Sequence, residues 1–139
     1  MPVKSRVRSL LAKFVRKPHR AAYAFLLLPY VLYQQFRLIG DLDHRRWALV
    51  LKRARRIRRL DFDSDSLRYS VGLANTALEQ WRPALTEFES IRSPLEEGDE
   101  EALRYNCHAW ALHNIGRTPE ARALLQHAIQ PHWPARRPR

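Results

Sequence analysis

Residues 105–131, YNCHAWALHNIGRTPEARALLQHAIQP, decide the fold class. The first half sets Tyr105, Ala109 and Leu112 four and three apart, which is one apolar stripe on a helix. Gly116 stops that helix, Thr118 caps the next, and Pro119 takes a first-turn position where a missing N–H costs nothing. After the turn, Ala121, Leu125 and Ala128 repeat the four-and-three spacing, and Pro131 closes the segment. The pattern predicts two helices, roughly residues 100–114 and 119–129, joined by a tight turn.

Working outward, the chain matches itself at an offset of 37 residues. Trp47, Ala84 and Ala121 coincide, as do Leu51, Phe88 and Leu125, and then Ala54, Ile91 and Ala128. In the preceding helices Ala74 falls on Ala111 and Leu78 on Ile115. A two-helix unit that recurs three times is the mark of a helical repeat array. A second helix pair is therefore predicted at about residues 66–79 and 83–92, after a turn at 61–65 (DFDSD) rich in capping side chains.

These units resemble the tetratricopeptide-repeat family. The resemblance rests on Tyr105, Ala109, Leu112, Gly116, Ala121, Leu125, Ala128 and Pro131 in one unit. In the other it rests on Val71, Gly72, Ala84, Phe88 and Ile91. Small residues let helices cross closely and large ones fill the gaps. Three positions depart from the pattern: His108 replaces an apolar residue, Asn75 a large one, and Ile91 an alanine. The offset of 37 exceeds the family's repeat of 34 by three. The first unit, about residues 21–57, aligns well only in its second helix. The resemblance implies an all-α array of antiparallel hairpins that holds a peptide or helix in a groove lined by the first helix of each hairpin. Tyr69, Leu73 and Thr76 would share that groove with Asn106, Trp110 and His113. The family's charged peptide-clamp residues have no counterpart here.

The N-terminal half reads differently. Residues 1–60 hold 16 Lys and Arg against two acids, whereas residues 61–130 hold six Arg against 12 acids. A basic half joined to an acidic half implies two surfaces with different partners. Four segments follow: a basic amphipathic segment at 1–20, an apolar helix and a basic helix at 21–60, two hairpins at 61–130, and a Pro/Arg tail at 131–139. Residues 3–17 have the spacing of an amphipathic helix, with an organelle presequence as the alternative reading. Residues 21–36 carry no charge; Pro29 should kink or split a helix there and Gly40 should end it. Sixteen uncharged residues are too few to span a membrane, and both flanks are basic, so no orientation is favoured. Residues 44–60 form a second basic amphipathic helix with Asp43 as its N-cap.

Chemistry is sparse. His108 and His113 lie about 140° apart on a helix, and no HExxH, cysteine partner or spaced carboxylate accompanies them. Cys107 and His108 are adjacent and point apart, so they cannot form a nucleophile pair. No phosphate loop or GxSxG is present, and the acidic run at 96–101 lacks calcium-loop spacing. No enzyme activity, cofactor, metal or small-molecule substrate is expected. The single cysteine excludes an internal disulfide and fits a reducing compartment, so a cytoplasmic location, peripheral at a membrane, is expected.

The strongest local signal is the basic block around 52–59 (KRARRIRR). Arg45, Arg46, Lys52, Arg53, Arg55, Arg56, Arg58 and Arg59 are its candidate contacts to an anionic surface. Phe25, Leu26, Leu27 and Leu28 are the candidate membrane or partner contacts beside it. An end repeat ordinarily presents a polar outer face. This one is apolar and ringed with arginine, which favours a protein interaction scaffold attached to a membrane surface or larger assembly. A nucleic-acid-associated protein that contacts phosphates through residues 1–60 is the second reading, with few aromatics interleaved to support it.

Overall fold

The computed structural model describes residues 18–95 and 98–129. The predicted segment at 3–17 and the tail at 131–139 lie outside them. The described residues form six helices and no strand: α1 (Pro18–Asp43), α2 (Trp47–Arg59), α3 (Asp65–Ala77), α4 (Trp81–Glu89), α5 (Gly98–Asn114) and α6 (Thr118–Ile129). Each helix packs on the next one in the chain, and α3 also touches α5.

The expected stop at Gly40 is corrected, and Pro29 does not split the helix. α1 is one helix of 26 residues that runs through Pro29 and past Gly40 to Asp43. Pro29 is exposed, so its ring meets solvent and not a neighbouring helix. What ends α1 is a turn in which Arg45 takes the left-handed conformation (φ 55°). The Arg45 amide donates to the Leu42 carbonyl and the Arg46 amide to the Asp41 carbonyl, which is the Schellman arrangement. Asp43 therefore closes α1 and does not cap α2, whose N-cap is Arg46 without a side-chain bond.

The same pair of bonds recurs twice. Glu79 (φ 57°) donates to Thr76 and Gln80 to Asn75; Gly116 (φ 88°) donates to His113 and Arg117 to Leu112. Arg45, Glu79 and Gly116 thus mark equivalent turns, separated by 34 and then 37 residues. This shifts the sequence register of the first unit by three. Val50, not Trp47, is the counterpart of Ala84 and Ala121, and all three are buried. α3 starts on Ser64, whose hydroxyl accepts the Leu67 amide at 3.1 Å, as the capping residues of that turn suggested.

Two apolar clusters hold the helices together. The first joins Val31 and Leu38 of α1 to Val50, Ala54 and Ile57 of α2 and to Leu67, Val71 and Ala74 of α3. The second gathers Tyr69, Ala84, Leu85, Phe88, Ala109, Leu112 and Ala121. α3 supplies both, so its chain is buried on two sides. Phe88 is the centre of the second cluster at 1 % exposure. A Cβ on Gly72 would sit 2.5 Å from its ring, so only glycine lets α4 approach α3 this closely. His108 stacks on Phe88 with 5.8 Å between ring centres, which accounts for a histidine where an apolar residue was expected.

Candidate functional site

Two exposed surfaces remain once the cores are filled. The first belongs to α1 and α2. Val31, Gln34, Leu38 and Asp41 form the buried face of α1. The opposite face is also apolar: Phe25 is 75 % exposed, Leu26 77 % and Phe36 74 %, with Tyr33 and Ile39 beside them. Leu27 and Leu28 are half-buried. A helix that is apolar all round is ordinarily buried on every side. No helix among the described residues is long and apolar enough to cross a membrane.

The basic block separates into struts and free cations. Arg53 is half-buried and pairs with Asp41 at 2.5 Å while donating to the Gln34 side chain at 3.2 Å. Arg58 grips Glu87 of α4 through two bonds of 2.7 and 2.6 Å and also meets Asp63 at 3.4 Å. The Glu87 carboxylate holds the Arg58 guanidinium above its ordinary value, against the opposing effect of desolvation. These two arginines are corrected from surface contacts to internal braces, because each spends its charge on a carboxylate. Arg46 lies 3.8 Å from Asp41 at the turn. Arg45, Lys52, Arg55, Arg56 and Arg59 are exposed and form no ion pair among the described residues. A shallow depression of about 310 Å³ at the α1–α2 turn is lined by Phe36, Arg37, Gly40, His44 and Arg46 together with Asp41 and Asp43.

The second surface lies on α5. Leu103, Asn106, Trp110 and His113 recur at three, four and three residues and are all exposed, Trp110 at 54 %. His113 stacks on Trp110 at 5.8 Å, and its ring nitrogen meets the Thr118 hydroxyl at 3.1 Å. Trp81, from the start of α4, stands edge-on to Trp110 at 6.5 Å and 87°. The expected companions on α3 are placed differently. Tyr69 is buried in the second cluster and offers no exposed ring, because α3 is enclosed on two sides. Leu73 packs half-buried against the same cluster, and the half-buried Thr76 donates its hydroxyl to the Gly72 carbonyl. The sequence did not place Trp81 at this surface, because the Glu79 turn that sets the start of α4 carries no glycine to mark it.

Neither surface carries a reactive constellation. Among the described residues no three His, Cys, Asp or Glu side chains gather as metal ligands. Cys107 is half-buried, and burial raises its thiol above the ordinary range. Comparison with protein-family models, curated proteins and solved structures returns no match.

Proposed function

We propose that this chain is a non-enzymatic interaction scaffold: a short tetratricopeptide-like array, attached through α1 and α2 to a membrane surface or larger assembly. The observation that carries this reading is the apolar outer face of α1, which leaves Phe25, Leu26 and Phe36 exposed on a helix pair whose α2 cations form no ion pair among the described residues, Arg53 and Arg58 apart. The array reading draws support from three turns with one hydrogen-bond pattern and from the 34-residue spacing of the first two. The α5 row around Trp110 is the second contact surface, offered to a protein or peptide. Half-exposed tryptophan is well suited to that work, since it gives large contact area at small entropic cost.

Photo-crosslinking tests both ends in the full chain. A photoreactive residue in place of Phe36 should trap the attachment surface, and one in place of Trp110 a discrete protein. Solvent-quenched products alone from both positions would overturn the scaffold. Trp110→Ala should leave the melt within about 1.5 kcal/mol of the parent, the worth of its aromatic contacts, while weakening partner capture by about 2 kcal/mol.

A further inference from the structure

The scaffold reading leaves open what covers the first helix pair, and the geometry of that pair narrows it. Arg53 reaches both Asp41 and Gln34, so α2 runs back along α1. The face of α1 turned to α2 runs through Val31, Gln34 and Leu38; the face of α2 turned to α1 runs through Val50, Arg53 and Ile57. One residue before each of these positions lies about 100° round the same helix. On α1 that neighbouring row is Leu26, Tyr30, Tyr33 and Arg37. On α2 it is Leu49, Lys52, Arg56 and Arg59. Two antiparallel helices are related by a local twofold axis perpendicular to the plane of their axes. Positions displaced in the same sense on each helix therefore emerge on the same side of that plane.

The two rows form one flat, exposed strip. On α1 it is aliphatic and tyrosine-rich, ending in Arg37, which lies over the Tyr33 ring at 6.0 Å. On α2 it is cationic, with Leu49 at one end, and Lys52, Arg56 and Arg59 make no ion pair among the described residues. The strip has no carboxylate. We infer that it docks on an anionic lipid surface, with Leu26 and the tyrosine rings at the acyl boundary and the α2 cations on headgroup phosphates. Amphipathic tyrosines and long cationic side chains are what an interface of that kind accommodates. The uncharged run at 21–36 is about 24 Å long as a helix, short of the roughly 30 Å hydrocarbon core, so α1 lies along the surface and does not cross it. A second copy on the same strip would set like charge against like. Nucleic acid would use the cations and tyrosines but gain nothing from Leu26 and Leu49.

Flotation of the full chain with vesicles tests this. It should rise with phosphatidylcholine vesicles containing phosphatidylserine and stay behind with phosphatidylcholine alone. Each cation removed from the strip should weaken binding about fivefold, so K52E/R56E/R59E should lose more than a hundredfold. Reversing three exposed arginines elsewhere, R82E/R92E/R122E, applies the same charge change and should leave flotation nearly intact. In about 0.5 M salt, where surface charge is screened, the parent should keep part of its binding and L26S/Y30S none of it. Equal flotation on neutral vesicles overturns the inference, as does indifference to K52E/R56E/R59E. A salt-steep complex with nucleic acid without flotation, or a dimer dispersed by L26S, would likewise assign the strip to another occupant. Should vesicles fail while the Phe36 crosslinker still traps a protein, the lipid is wrong and the scaffold stands.

Discussion

Among the described residues α1 and α6 occupy the two ends of the helical stack, and they answer the same problem in opposite ways. α6 turns Glu120, Arg122, Gln126 and His127 to solvent and keeps Ala121 inward. α1 turns Phe25, Leu26 and Phe36 outward although Val31 and Leu38 already fill its inner face. A terminal unit with a polar outer face closes an array, since there is nothing further to bury. α1 has buried one apolar face against α2 and leaves the other uncovered by the described residues. The difference teaches that, among the described residues, α1 exposes more apolar surface than its packing on α2 covers, and the proposed attachment rests on that excess.

Mutations can break this contrast. The largest effects belong in the interior: Phe88→Ala should cost about 3–5 kcal/mol and Gly72→Ala, which drives a Cβ into the Phe88 ring, about 1–3 kcal/mol. By contrast, Phe25→Ser and Phe36→Ser should move the denaturant midpoint by no more than about 0.5 kcal/mol. A Phe36→Ser protein that unfolds as readily as the Phe88 variant would place α1's outer face inside the fold, and the contrast between the ends would vanish.

A smaller effect lies where the basic and acidic halves meet. Arg58 joins α2 to α4 through Glu87, and both side chains are partly shielded from water. Arg58→Ala should cost about 1 kcal/mol, and a double-mutant cycle with Glu87→Ala should return a coupling of similar size that shrinks in salt. Additive single effects would make the brace a bystander.

His108 supplies a pH dependence. Burial holds it below its ordinary value, Glu89 opposes that, and Arg104 and Arg117 add to it. The unfolded chain therefore takes up the proton near pH ~6.5 and the folded chain only below that. Stability from this group is complete above ~6.5 and is lost as the pH falls beneath it. Thermal melts should drop on acidification across that range, and His108→Phe should flatten this part of the slope. Smallest of all, the raised thiol of Cys107 should react with Ellman's reagent more slowly in the native chain than after denaturation. Equal rates would put the thiol in open solvent.

The helical class and the four helices of the second half were legible because alternation of apolar spacing with Gly116, Pro119 and Ser64 is local chemistry. The register of the first unit was not. Its turn residue is Arg45, and the next is Glu79, neither of which announces a left-handed conformation as glycine does. Gly40 looked like a helix stop but sits inside α1 between the buried Leu38 and Asp41, and Asp43, which looked like the cap of α2, is the last residue of α1. At the surfaces, sequence could group the arginines but not sort them. Whether Arg53 and Arg58 face water depends on carboxylates 12 and 29 residues away. Likewise Tyr69 and Trp110 both sit on helices with several neighbours, and they differ in the face each occupies: Tyr69 points into the second cluster and Trp110 out of it.

That double enclosure of α3 sets the order in which the molecule comes apart. Leu67, Val71 and Ala74 belong to one cluster and Tyr69 to the other, so neither cluster can dissolve without baring a side of this helix. In a stack held by nearest neighbours, opening starts at the ends and works inward. Amides of α1 and α6 should therefore exchange with deuterium first. Those of α3 should exchange last, at a rate set by opening of the whole domain. The two clusters should therefore unfold as a single cooperative unit, because one 13-residue helix belongs to both.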